Sequence, residues 1–222
     1  ELDALVNDFN RMAQALDDTE RNRRAFIADI SHELRTPLAV VRAELEAIED
    51  GIRPLDRANL VGLQGEIRQL GKLIDDLHDL SMTQSGGLAY RFAPLDLAAL
   101  LRSELNGMRM RFANAGLALE EDLPAMPLQV SGDERRLQQV LANLLENALR
   151  YTHAGGRVLV QAAYVPAGVQ LIVEDTAPGV PADKCALLFE RFYRVESSRN
   201  RASGGSGLGL AISHNIILAH HG

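Results

Sequence analysis

Apolar residues recur every three or four positions from Leu2 to Met82. Leu2, Leu5, Val6, Phe9, Met12, Ala13 and Leu16 form one stripe, and Phe26, Ile30, Leu34, Leu38, Val41, Leu45 and Ile48 form a second. This is the spacing of an amphipathic helix running to about residue 50. Asp50-Gly51 and Arg53-Pro54 stop it. A further helix is predicted from about Asp56 to Met82, with Leu60, Leu63, Ile67, Leu70, Ile74 and Leu77 inside. Two long helices joined by a short turn make an antiparallel hairpin. Its apolar seam is too wide to be buried by one hairpin, so pairing with a second copy into a four-helix bundle is expected.

Ser85-Gly86-Gly87 breaks the pattern, and the periods then mix. A short strand is expected at Leu95–Leu97, a helix over Leu97–Ala113 and a strand at Leu117–Glu120. Asp133 is placed to N-cap a helix reaching about Tyr151. Arg157–Val165 and Val169–Glu174 alternate as paired strands around Pro166-Ala167-Gly168. Residues 176–206 are rich in Gly, Ser, Arg and Asn around one aromatic island, LFERFYR at residues 188–194, and a last helix starts near Gly207. A weakly periodic stretch of that length is usually functional or mobile. The second domain therefore reads as α+β, helices covering a mixed sheet.

Composition narrows the function classes. The 222 residues suffice for two modest domains, and 46% hydrophobic residues exclude a disordered chain. With no Trp and 5% aromatic residues, packing rests on Leu, Ile, Val and Ala. A net charge of −7 argues against a general nucleic-acid surface. Residues 1–85 hold ten Lys and Arg against seventeen Asp and Glu, leaving thirteen of each beyond, so the helical half carries all the net acidity. The single cysteine, Cys185, excludes an internal disulfide, fits a reducing compartment and reads as a small helix residue. No run approaches a membrane span. The chain opens within a helical pattern, which reads as a piece of something longer. His153, His214, His220 and His221 show no metal-ligand pattern, and His78 reads as a surface residue of the second helix.

Four constellations carry candidate chemistry. The first is SHELRTPL at residues 31–38. His32 lies two residues from both Ile30 and Leu34, about 200° from each at about 100° per residue, so it faces solvent opposite the apolar stripe. Glu33 supplies an adjacent carboxylate that can orient a neutral imidazole or take its proton. Pro37 lacks an N–H and crowds the Glu33 carbonyl, so a bend is expected one turn after His32. The second is NLLENALRYT at residues 143–152. Asn143 and Asn147 share a helix face with Arg150 beyond them, a donor set for hydrated Mg²⁺ and phosphates. By itself it also fits a polar helix surface. The third, DTAPG at 175–179, follows a strand with a carboxylate able to accept from an exocyclic amine, and with Gly179 for close approach of a flat ligand; an ordinary turn fits equally. The fourth, SGGSGLGLA at 203–211, is a glycine-rich run entering a helix, able to cradle phosphate or to serve as a flexible linker.

Taken together, in this order and spacing, these stretches resemble the sensor histidine kinases. Residues 31–38 are similar to their phosphoacceptor box. The other three resemble the N, G1 and G2 boxes of their ATP-binding domain, and residues 188–194 the F box. Residues 1–18, with DFNRMA at 8–13, resemble the end of a HAMP linker. The resemblance implies a dimerisation and histidine phosphotransfer domain over 19–85. It also implies a catalytic ATP-binding α+β sandwich of the GHKL (Bergerat) type over 90–222, lacking its last strands. It implies that His32 takes the γ-phosphoryl group of ATP with Glu33 as base, and that the group passes to an aspartate of a response-regulator receiver domain. Thr36 fits the Glu-x-x-Thr pattern of members that also dephosphorylate that partner, where it would orient the attacking water. Asn147 would hold Mg²⁺, with Asn143 and Arg150 on the phosphates and Tyr151 lining the nucleotide. Asp175 would read the adenine amino group, with Ala177, Gly179 and Val180 in the same turn. Tyr193, Arg194 and the loop Ser206, Gly207, Leu208, Gly209 and Leu210 would form the lid. The family places this portion on the cytoplasmic side of a bacterial inner membrane. Ala177 stands where the G1 box usually has glycine, and its methyl is expected to restrict the backbone and reduce tolerance for nucleotide. A phosphatase-dominant or inactive member, another GHKL ATPase and a plain dimerisation module are the alternatives.

Overall fold

The computed structural model describes residues 2–84, 89–195 and 205–222 and divides into two compact units, residues 1–78 and 79–222. The Ser85-Gly86-Gly87 break and Ser203-Gly204 lie outside the described residues.

In the first unit α1 runs unbroken from Leu2 to Glu49, through Pro37. Gly51, at φ 70°, ends it: the Gly51 N–H donates to the Ile48 carbonyl at 3.1 Å and Ile52 to Ala47 at 2.9 Å, which satisfies carbonyls that the last turn leaves open. Helix α2 spans Arg57–Gln84, and its first turn is capped by Asp56, whose carboxylate accepts from the Asn59 N–H at 2.8 Å. The predicted seam separates into two stripes. Phe26, Ile30, Leu34, Val41 and Ile48 on α1 are half-buried, and on α2 Leu63, Leu73 and Leu77 are buried with Leu70 half-buried. Leu38 and Leu45 on α1, and Leu60, Ile67 and Ile74 on α2, are instead exposed at 44–58%. Each exposed set repeats every seven residues, so it forms a second face rather than part of the first.

The second unit is built around α3 (Leu97–Asn114) and α4 (Glu134–Tyr151). Strands β2 (Ala118–Asp122), β4 (Arg157–Val165) and β5 (Gly168–Asp175) make one sheet in the order β2-β4-β5, the first pair parallel and the second antiparallel. Strands β1 (Ala93–Asp96) and β3 (Gln129–Gly132) pair separately, antiparallel. Helix α5 covers Gly209–Ala219. Val158, Val160 and Ala162 alternate inward from β4 onto Leu101, Leu105, Phe112, Leu141, Leu145 and Ala148, which form the core. Phe112 is fully buried, and truncating it to alanine is expected to cost about 3–5 kcal/mol.

Several boundaries differ from the periodicity. Asp96 caps α3 by accepting from the Ala98 N–H, which draws Leu97 out of β1 and into the helix. Strand β3 leaves no trace in the periodicity, because its four residues are too few to show a period. Val165 pairs with Gly168, so the β4–β5 turn is only Pro166-Ala167. The last helix starts at Gly209 rather than Gly207, where φ is 69°. Among the described residues between β5 and α5 are two short 3-10 turns, Ala182–Lys184 and Ala186–Phe189, with Cys185 exposed at their junction rather than inside a helix. No helix among the described residues is long and apolar enough to cross a membrane.

Candidate functional site

The candidate residues fall into two groups, one in each unit. On α1, His32 is exposed and Glu33 half-buried. The Thr36 hydroxyl donates to the His32 carbonyl at 3.3 Å, and Ser31 donates to Ile27 at 2.8 Å. The hydroxyl of Thr36 is thereby held one turn from the imidazole, on an exposed surface, with lone pairs still open to water. No hydrogen bond joins His32 to Glu33. Their adjacency in sequence is all that links them here.

The second group lies in residues 79–222, where α4 carries the polar face. Its N-cap, Asp133, accepts from the backbone of Arg136 at 3.2 Å and of Arg91 at 2.8 Å. Burial pushes this carboxyl up, but the two N–H donors and the positive charges of Arg136 and Arg135 outweigh that and hold it below the usual carboxylate range. Asn143 is buried, and its amide donates to the Gly209 carbonyl at 3.1 Å and the Ser213 hydroxyl at 3.4 Å. Asn143 thus ties α4 to the start of α5. A Cβ on Gly209 would come within 3.3 Å of the Asn143 amide carbon, so glycine is what allows that approach. One turn on, Asn147 is half-buried, and beyond it Tyr151 is exposed. The Arg150 guanidinium lies so close to Gly205 that a Cβ there would strike it. Arg150 and the loop leading to Ser206 are therefore neighbours.

Two further junctions complete the cluster. At the end of β5, Asp175 is exposed and accepts from the Ala177 N–H at 3.0 Å, leaving its second oxygen open. Gly179 has φ 75°, whereas Ala177 is not among the described residues with positive φ. Ala177 therefore carries no left-handed strain in the turn. The adjacent Thr176 accepts from the Arg157 N–H at 2.9 Å and, with Thr152, encloses Gly156, where a Cβ would meet both side chains. This brings the G1-like turn against the end of α4. The LFERFYR segment meets the glycine loop through Phe192, at φ 61°, whose N–H donates to the Gly207 carbonyl at 3.0 Å. A Cβ on Gly207 would sit 2.9 Å from the Phe192 backbone. The Ser206 hydroxyl accepts from the Leu208 N–H at 3.3 Å, and Leu208 is buried. Tyr193, Arg194 and Leu210 are half-buried nearby in sequence, as is Val180 in the G1-like turn.

These features fit a nucleotide with a magnesium ion. No cluster of three or more His, Cys, Asp or Glu able to hold a metal occurs among the described residues. Asn147, half-buried on the polar face of α4, would offer an amide oxygen to a Mg²⁺ ion whose other ligands are phosphate and water oxygens, the usual arrangement for that ion. The Thr152 hydroxyl at the end of α4 is buried with no hydrogen-bond partner, which suits a site completed by water or ligand.

One residue that matters escaped the sequence reading. His220 accepts at Nε2 from the Asp133 N–H at 2.9 Å, while Nδ1 lies 2.7 Å from the Ile216 carbonyl. Both bonds require a neutral ring protonated at Nδ1. Spacing from Asp133 is too long for any local motif to have shown it.

Residues 22–86 match the His Kinase A (phospho-acceptor) domain family. Residues 132–222 match the histidine kinase-, DNA gyrase B- and HSP90-like ATPase family. Over its whole length the chain is 54% identical to the signal transduction histidine-protein kinase BaeS of Escherichia coli (strain K12), covering 47% of that protein. It is 36% identical to the histidine-protein kinase/phosphatase MprB of Mycolicibacterium smegmatis, again over its whole length and 45% of that protein. The chain thus spans about half the length of the curated relatives it matches. Among solved structures, the histidine kinase AdeS of Acinetobacter baumannii superposes with a TM-score of 0.72 at 33% identity, over 85% of this chain and 86% of that one.

Proposed function

The chain belongs to the histidine kinases, and from that premise we propose that it transfers the γ-phosphoryl group of ATP to Nε2 or Nδ1 of His32. The group then passes to an aspartate of a response-regulator receiver domain. The observation that carries this reading is the junction of α4, the Asp175–Gly179 turn and the Gly207–Gly209 loop through Asn143, Gly156 and Phe192.

In this reading the residues act chiefly by positioning and charge neutralisation. Asp175 accepts from the adenine amino group with its open oxygen. Arg150 and the backbone N–H groups of the glycine loop face the phosphates. Tyr151 lines the nucleotide, and Tyr193 and Arg194 close over it. Mg²⁺, held by Asn147, neutralises phosphate charge. Glu33 takes the imidazole proton as the ring nitrogen attacks the γ-phosphorus and ADP leaves. The domain limits are proposed at 1–18 for the HAMP end, 19–85 for the dimerising phosphotransfer part and 90–222 for the catalytic part. Two copies pair through the exposed heptad stripe of α1 and α2. The receiver partner is BaeR-like, on the strength of the identity to BaeS. The longer protein sits in a bacterial inner membrane with this portion cytoplasmic.

The Thr36 hydroxyl, fixed one turn from His32, supports a second activity, hydrolysis of the partner's phosphoaspartate. Here Thr36 would orient the attacking water.

The test is incubation with Mg²⁺ and γ-labelled ATP beside His32→Ala. Acid-labile, alkali-stable label on the parent and none on the variant is expected. A parent that binds nucleotide but takes up no label would favour a phosphatase-dominant member.

A further inference from the structure

The last turns of α2, residues 79–84, belong to the second unit. Leu80 is 1% exposed there. Next to it, Asp79 Oδ2 accepts from Arg136 Nη1 at 2.6 Å and from Gln139 Nε2 at 2.9 Å. Arg136 Nη1 also donates to Gln139 Oε1 at 2.9 Å, closing a three-residue network. The Arg136 side chain is 8% exposed and that of Asp79 18%. Burial pushes the Asp79 carboxyl up, and the hydrogen bonds from Arg136 and Gln139 with the Arg136 charge outweigh it, leaving it below the usual range.

A buried ion pair is weak evidence for stability, but it is exacting about position. A shift of either helix by an ångström or two leaves a charge unpaired. The network also lies in line with the site. Arg136, Gln139, Asn143 and Asn147 step by three or four along one face of α4. Asn143 in turn holds the Gly209 carbonyl. Gln139, which Asp79 holds, is thus one helical turn from Asn143, the residue that binds the glycine loop.

We propose that Asp79 is a positioning residue for the nucleotide site: through Arg136 and Gln139 it sets where α4 stands, and through α4 where Asn143 holds the Gly207–Gly209 loop. The inference rests on the reading of that loop as the ATP site. It also means that a change at the end of α2 is felt at Asn143.

The experiment is autophosphorylation kinetics of the whole chain with Asp79→Ala and Asp79→Asn, alongside equilibrium binding of a trinitrophenyl-ATP probe and thermal melting. A misplaced α4 raises KM for ATP, by about ten-fold, with kcat within two-fold, because saturating nucleotide reassembles the loop. A merely structural role does the opposite: fewer folded molecules lower kcat and leave KM alone. Unchanged KM and probe affinity overturn the proposal. If Asp79→Ala does not fold at the assay temperature, Asp79→Asn decides, since it keeps the shape and one acceptor oxygen. If the parent takes up no label, the kinase reading fails separately, and the probe affinities of the same variants still decide the role of Asp79.

Discussion

Exchanging the glycine and the alanine of the Asp175–Gly179 turn gives a sharp test of the local backbone. Family resemblance alone would favour Ala177→Gly as a gain. The structure predicts a loss. Ala177 does not have a positive φ, so glycine relieves no strain there and only adds freedom to the unfolded chain and the unliganded loop, a cost of about 0.4–1 kcal/mol. Gly179, at φ 75°, is the position that needs glycine. An added Cβ at Gly179 meets nothing within 4 Å, so the cost of Gly179→Ala is conformational alone, about 1–2 kcal/mol for an L-residue in the left-handed region. The turn is exposed, so the alanine variant is expected to relax locally when free, which places most of that cost on nucleotide binding. At about 1.4 kcal/mol per tenfold, affinity should drop roughly 5- to 30-fold. Titration of the two variants with a fluorescent ATP analogue, with urea unfolding as a check on the fold, measures both effects. Tighter binding by Ala177→Gly, or parental affinity in Gly179→Ala, would refute the reasoning.

Three further outcomes are expected. Gly207→Ala combines left-handed strain with a Cβ 2.9 Å from the Phe192 backbone, so its nucleotide affinity should fall more than ten-fold while the circular dichroism of the chain is kept. His220→Ala leaves the Asp133 N–H without its acceptor, and urea denaturation of the second unit should show a loss of about 1–2 kcal/mol; an unchanged midpoint would mean water replaces the ring. Asp79 and Asp133 both titrate below their ordinary value, so in acid the unfolded state binds more protons and stability rises with pH. Their contribution is complete above the ordinary carboxylate range and is lost as pH falls below about 3.8. Asp79→Asn should flatten the dependence of the urea midpoint on pH in that window.

The helices were legible because their signals are local and repeated. Asp133 announces α4 as an N-cap, and the steps from Phe26 to Ile48 announce α1. The same signal could not say which apolar residues face inward. Leu38 and Leu34 are equally apolar and four apart, and only one is covered within the chain. The site residues were legible as types in an order, yet their joining was not. Asn143 meets Gly209 across 66 positions, and Asp79 meets Arg136 across 57. Such pairs follow from the packing of α4 against its neighbours, which no spacing encodes. At Ala177 the type of residue alone does not show whether the turn is left-handed there; the backbone does, and Ala177 is not among the described residues with positive φ.

The apolar stripe left bare on the hairpin has a consequence in mass action. Under the proposed pairing a second chain covers Leu38, Leu45, Leu60, Ile67 and Ile74, so the stabilisation they supply, about 1.5–3 kcal/mol for each large aliphatic side chain fully buried, grows with protein concentration. The second unit has its own core around Phe112, built within one chain. Melting should therefore split, the hairpin transition rising with concentration and the other holding still. Dilution then loosens the helix that bears His32 before it reaches the core of the second unit, and the number of copies that meet becomes a control that acts first on one half of the molecule.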